Sequence, residues 1–260
     1  MKLAITGKGG VGKTTLASLL ARAYASEGGT VLAIDADPDA NLAAALGFQA
    51  EEIANLMPIS EMKDLIEERT GVRPGTMGGM FRLNPKVDDI PERFAARKDG
   101  IRLLIMGTVK IGGGGCACSE NVLLKSLMTH LLISRREVVI LDMEAGIEHL
   151  GRATAQAVDA FIVVVEPGRR SLQTAEAIKK LAADIGITKC YVVGCKIKSD
   201  ADKDFIKVNL PGFEILGFLS YSPGVIEADL KGLSAYDTDP IAVEQVKLIK
   251  ARLEELRQGG

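Results

Sequence analysis

Residues 7–15 read GKGGVGKTT, and their spacing dictates a particular chemistry. Gly7, Gly12, Lys13 and Thr14 satisfy G-x-x-x-x-G-K-[ST], directly after the strand-like KLAIT and directly before a leucine-rich helical stretch. Such a loop binds phosphate. Glycines at 7, 9, 10 and 12 let consecutive N–H groups, with those of Val11, Lys13, Thr14 and Thr15, curl round phosphate oxygens. The helix N-terminus adds positive potential. Lys13 is expected to reach the β- and γ-phosphates, and the Thr14 hydroxyl to ligate Mg²⁺. Asp35, Asp37 and Asp39 follow in IDADPDAN at the end of a second strand. Ligands bind beyond the carboxyl ends of strands in a parallel sheet, so one aspartate is placed to orient an attacking water. One of the three is expected only to cap the next helix. Asp142, ending VVILD, is the natural outer-sphere partner of Mg²⁺, and the Gly146 N–H is placed to sense a γ-phosphate from a loop that hydrolysis releases.

A second constellation is GGGGCACSE, residues 112–120, which holds two of the chain's four cysteines, Cys116 and Cys118. A disulfide between cysteines one residue apart is geometrically unfavourable. A redox pair is more usually spaced Cys-x-x-Cys. Two readings stay open: small side chains packed under a glycine turn, or a metal clamp. For the clamp, the helix starting near Ser119 should lower the thiol pKa. Two thiolates make half a tetrahedral site, and a two-fold dimer would supply the other half. Zinc suits tetrahedral sulfur, and nickel accepts a flatter arrangement of the same ligands.

The elements that must position these groups are legible as short β-branched runs alternating with amphipathic stretches. Strands are expected at 2–6, 30–35, 101–106, 137–142, 160–166, 190–197 and 214–219. That gives an α/β fold with a mostly parallel seven-stranded sheet and helices on both faces. The chain is read as one domain, 1–260, with a helical and irregular insertion at 48–100 beside the sheet; EMKDLIEERTG supplies its helix. A hydrophobic fraction of 47 %, a charged fraction of 25 % and a formal charge of −2 are those of a globular protein and argue against broad binding to nucleic acid or acidic membrane. MKLAITGKGG lacks the apolar core of a signal peptide and no apolar run is of membrane length, so a cytoplasmic chain with reduced thiols is the expectation.

KGGVGKTT resembles the deviant P-loop of the MinD/ParA/nitrogenase-iron-protein superfamily. The resemblance implies a MinD-like P-loop NTPase fold. It implies that Lys8, superfluous for the chain's own phosphates, crosses a dimer interface to the partner's nucleotide, and it points to Asp37 as the water-orienting aspartate. In those relatives an Asn-Lys pair after the sixth strand reads adenine; here Cys195 stands in the asparagine's place, beside Lys196. LSYSPGVIEADLKG resembles the segment that closes over adenine, around Ser222, Pro223 and Gly224. ATP is favoured over GTP, because no Asn-Lys-x-Asp guanine reader occurs.

Taken in order, GKGGVGKTT, IDADPD, the Cys-x-Cys loop, LDMEAGIEHL and VDAFIVVVEP resemble the CooC family of carbon monoxide dehydrogenase maturation ATPases, over nearly the whole chain. This resemblance implies a homodimer when nucleotide or metal is bound, with Ni²⁺ or Zn²⁺ held by Cys116 and Cys118 across the interface. It also implies ATP-dependent nickel insertion into carbon monoxide dehydrogenase as client. Glu144 departs from the small residue expected in the second switch. Two other readings are an iron–sulfur ATPase of nitrogenase-iron-protein type, since four thiolates also suit a [4Fe–4S] cluster, and a MinD- or ParA-like positioning ATPase without metal. His130 and His149 read as ordinary packing residues, and Cys190 and Cys195 as small hydrophobes in a buried strand.

Overall fold

The computed structural model describes residues 1–258, except 77–79, 81, 108–117, 145–149 and 151. Eight strands form one sheet: β1 Lys2–Gly7, β2 Val31–Ala36, β3 Ala96–Lys98, β4 Ile101–Ile105, β5 Val138–Met143, β6 Ala160–Val165, β7 Cys190–Ile197 and β8 Glu214–Ser220. Their spatial order is β3-β4-β2-β5-β1-β6-β7-β8. Every neighbouring pair is parallel except β3 with β4. The seven strands read from sequence are present, and β3 makes the count eight rather than seven. With only three residues, ARK, β3 has no hydrophobic alternation to read. It exists because Asp99 and Gly100, both at positive φ, turn the chain back onto β4.

Residues 31–36 and 160–165 are buried at every position, as strands covered on both faces must be. Side chains alternate between two cores. Leu3, Ile5, Ala33, Ile140 and Ile162 join one core, which is closed by the helices α1 Lys13–Ser26, α2 Leu42–Ala45, α11 Ala235–Thr238 and α12 Pro240–Gln258. Ala4, Leu32, Ile34, Leu141 and Phe161 face the other core. That face is covered by α6 Ser119–Thr129, α8 Arg169–Asp184 and α9 Asp200–Asn209. The remaining short helices are α3 Ala50–Ile53, α4 Lys63–Thr70, α5 Ile90–Phe94, α7 Arg152–Ala155 and α10 Pro223–Leu230.

The segment 48–100 packs on a face of the sheet and supplies its edge strand β3. Ile59, Leu65, Ile66, Val87 and Ile90 all enter the second core, so the segment forms part of that face's cover. Polar links hold it as well. Arg69 pairs with Asp89 at 2.7 Å, and Glu92 of α5 meets both Arg102 (2.6 Å) and Arg135 (2.7 Å). The Arg pairs hold the Asp89 and Glu92 carboxyls down at about 2, well below the carboxylate range. Its Gly, Pro and charged residues hide this role in the sequence, because the apolar positions are spaced by tertiary contact rather than by one helical period. Ile66 is fully buried, so Ile66→Ala should cost about 2–5 kcal/mol in a single cooperative urea transition. A peripheral insertion would leave the midpoint nearly unchanged.

Candidate functional site

Strand pairing gathers the chemistry. β5 lies between β1 and β2, in a register that sets Asp142 beside Ile5 on one side and Asp35 on the other. The phosphate loop leaves the end of β1 and runs into α1 without a side-chain cap; Gly10 and Gly12 adopt φ of 76° and 104°, which other residues rarely accept. An open cavity of about 650 Å³ lies above it. Gly9, Gly10, Gly12, Lys13, Thr14, Thr15, Asp37 and Lys196 line this cavity. Gly7, Lys8 and Val11 do not line it. Gly7 passes so close to the Val164 carbonyl that a Cβ would sit 2.4 Å from its oxygen, and Val11 is buried in the core.

The three strand-end aspartates divide the roles. Asp35 is the structural one: its carboxylate accepts the Leu42 N–H at the start of α2 (2.9 Å) and the Asp37 N–H (3.2 Å). Burial pushes its carboxyl up to about 6 despite those bonds. Asp37 turns into the cavity, 3.7 Å from the nearly buried Lys13 ammonium, and Asp39 also lines the wall. Asp142 lies below the floor at 1 % exposure, and neither of its oxygens has a hydrogen-bond partner of ordinary geometry among the described residues. Burial pushes this carboxyl up to about 7; Asp35 and Asp37 add to the rise, while the facing Thr14 hydroxyl and Lys13 oppose it.

An unpartnered buried carboxylate beside a threonine hydroxyl is a fit for a cation. Among the described residues no group of three or more His, Cys, Asp or Glu could hold a metal alone. Mg²⁺ keeps waters and takes phosphate oxygens, so one carboxylate and one hydroxyl are the share a protein commonly supplies to it.

Other expected residues fall differently. Ser222 does not line the cavity; its hydroxyl caps α10 by accepting the Gly224 N–H at 3.1 Å, and Pro223 is that helix's first residue. The wall there is instead made by Val225, Ile226, Ala228 and Asp229, together with Leu233. The helical period of PGVIEADL could have shown this, since 225, 228 and 229 share a face. Cys195 does not line the cavity: it packs under the loop, 3.6 Å from where a Gly12 Cβ would stand, with its thiol pushed up to about 12 by burial. Glu144, directly after β5, lines the cavity, and its carbonyl accepts the Thr6 hydroxyl at 2.8 Å. Gly146 lies outside the described residues.

Cys116 also lies outside them. Cys118 is the N-cap of α6 but makes no capping bond through its side chain. Its thiol was expected below the ordinary value, and the structure corrects this. Burial raises it, and Glu120 in the first turn raises it further against the opposing Asn121 amide. Burial, aided by the neighbouring carboxylate, outweighs the backbone amides that favour the thiolate. His130, at the far end of α6, is partly buried among leucines with Nε2 unpartnered, in keeping with packing at the core edge.

Residues 2–235 match the model of the CobQ/CobB/MinD/ParA nucleotide binding domain. The carbon monoxide dehydrogenase accessory protein CooC of Rhodospirillum rubrum is 50 % identical over 256 residues, covering 98 % of this chain and 97 % of that protein. The chain is a CobQ/CobB/MinD/ParA-family protein of the CooC type. An uncharacterized ATP-binding protein of Methanocaldococcus jannaschii is 46 % identical, with 96 % of each chain covered. In architecture the CooC-like chain is similar to the MinC:MinD cell division complex of Aquifex aeolicus, with a TM-score of 0.68 at 20 % identity, covering 98 % of this chain and 96 % of that one. Among the described residues, no helix is long and apolar enough to cross a membrane.

The raised carboxyls set a pH dependence. Asp142 and Asp35 bind protons more tightly folded than unfolded, so the nucleotide-free protein should lose stability as pH rises from about 4 through 7. A proton on Asp142 also competes with a cation, so Mg²⁺ should bind the ADP complex more weakly at pH 6 than at pH 8. Calorimetric titrations at the two pH values, set against Asp142→Asn, check this; the variant should bind weakly at both.

Proposed function

We propose that this protein is a Mg²⁺-dependent ATP hydrolase that couples its nucleotide state to holding and releasing a nickel ion for carbon monoxide dehydrogenase. The observation that carries the ATPase reading is Asp142, buried with both oxygens unpartnered, beneath a cavity that Lys13, Thr14 and Asp37 share. The similarity to CooC over nearly the whole chain supports the client.

In this reading the glycine loop and the start of α1 receive the phosphates, and Lys13 neutralises charge on the β- and γ-phosphates. Thr14, and Asp142 through water, would hold Mg²⁺, which when bound supplies further neutralisation of the triphosphate. Asp37 accepts a hydrogen bond from the attacking water and orients it on the γ-phosphorus. The P–O bond to the bridging oxygen breaks, and ADP and inorganic phosphate leave. The ion pair of Asp37 with Lys13 supports this assignment, since it keeps the carboxylate at the phosphate end of the cavity. Asp37→Asn should lower phosphate release at saturating ATP by about 10²-fold or more while leaving ADP affinity within a few-fold. Full turnover in that variant would exclude the role.

Lys8 stands on the loop outside the cavity, as a residue meant for a partner's nucleotide would. In the proposed dimer, Cys116 and Cys118 of both chains hold nickel or zinc as cargo. The raised Cys118 thiol means that loading must displace a proton, so capture should strengthen with pH. Hydrolysis that alters the interface alters the shared site, which is a direct route for coupling. Anaerobic Ni²⁺ titration of the reduced protein, with mass measured alongside, should give one metal per two chains. That binding should be lost in Cys116→Ala/Cys118→Ala; one metal per monomer at unchanged mass would exclude the shared clamp.

A further inference from the structure

Lys196 is held in a conformation that a lysine does not choose. Its φ is 57°, one of two positive values outside glycine among the described residues. Strain of this kind persists only where the surroundings impose it, and such residues cluster at functional sites. The cause is a β-bulge. Between the pairs Gly194↔Phe218 and Ile197↔Ser220, β7 has two residues, Cys195 and Lys196, where β8 has one. Bulges re-aim side chains. This one turns Cys195 under the phosphate loop and swings Lys196 over it.

The Lys196 ammonium then does two things at once. It donates to the Gly10 carbonyl at the crest of the loop, and it pairs with the Glu166 carboxylate at 3.4 Å. Glu166 is itself anchored: its N–H donates to the hydroxyl of the buried Ser171 at 3.1 Å, at the start of α8. On the other side of the same loop peptide, the Val11 N–H reaches the Lys8 carbonyl at 3.4 Å. The Gly10–Val11 peptide is therefore fixed from both ends, with its carbonyl tied to a cation. A carbonyl left free at this crest could turn its negative end toward the phosphates, and the loop works only by presenting N–H groups there.

We infer that Glu166 is a positioning residue for nucleotide binding: it steers Lys196 onto the Gly10 carbonyl and so preforms the phosphate loop. This rests on the nucleotide reading of the cavity. Glu166 acts through Lys196 and lies outside the cavity wall. Its loss should therefore weaken binding without touching the chemical step.

The test is titration of a fluorescent ADP analogue into the full chain, together with steady-state ATP hydrolysis. Glu166→Gln should raise the Kd about five-fold, the scale carried by a partly exposed ion pair, with kcat at saturating ATP within about two-fold of the parent. Glu166→Gln/Lys196→Met should bind no more weakly than Lys196→Met alone, because both changes break one linkage. The charge swap Glu166→Lys/Lys196→Glu should fail to rescue, since a carboxylate at 196 cannot donate to the Gly10 carbonyl. Rescue by the swap would mean a mere structural ion pair and would overturn the inference. So would unchanged affinity, tighter binding, or a fall in kcat with Kd unaltered. Thermal midpoints report folding, and Glu166→Asp repeats the comparison if the glutamine variant does not fold. A parent chain that fails to bind the analogue overturns the nucleotide reading itself, and the inference with it.

Discussion

The lysine ammonium of the phosphate loop is nearly buried, and a buried cation without a counter-charge is costly. In this fold the counter-charge comes from carboxylates at the ends of two other strands: Asp37 close by in β2's loop, and Asp142 below in β5. Those carboxylates are themselves crowded and desolvated, which is why Asp35 and Asp142 hold their protons so far above the usual range. The Lys13 ammonium thus sits among several crowded carboxylates at one end of the sheet.

That electrostatic arrangement depends on β5 standing between β1 and β2. The central strands are apolar at nearly every position, and two layers of helices must cover them, so the register is fixed by burial. A slip of one residue in β5 would carry Asp142 out of line with Asp35 and exchange its two cores. The segment 48–100 contributes to the same rigidity by closing one of the two covering layers. The floor of the site is held in place by packing that lies well away from it.

Much of this was legible in the sequence. The phosphate loop, seven of the eight strands and the C-terminal helix, read as PIAVEQVKLIKARLEELRQ and found at Pro240–Gln258, follow from local pattern alone. The structural role of one strand-end aspartate was also foreseeable in kind, though not that it would be Asp35. The rest has several causes: strand β3 is too short to carry a pattern, the packing of 48–100 depends on a distant core, and burial of the Cys118 thiol is set by tertiary neighbours.

Local physics fixed which residues are able to do chemistry. A glycine loop with this spacing between strand and helix is suited to phosphate, because its N–H groups and the helix end are supplied by local chain. The sequence by itself therefore determined the fold class and the nucleotide loop, and offered Lys13, Thr14 and Asp142 as candidates, with Asp37 singled out by the superfamily resemblance. Only the tertiary structure decided which groups are buried, which are paired and which are strained. It left Asp142 without a partner, put Cys195 behind the loop, and bent Lys196 onto Gly10 through a bulge set by the pairing of β7 with β8. Burial and pairing are properties of neighbours that meet across long stretches of chain, and no window of sequence contains them.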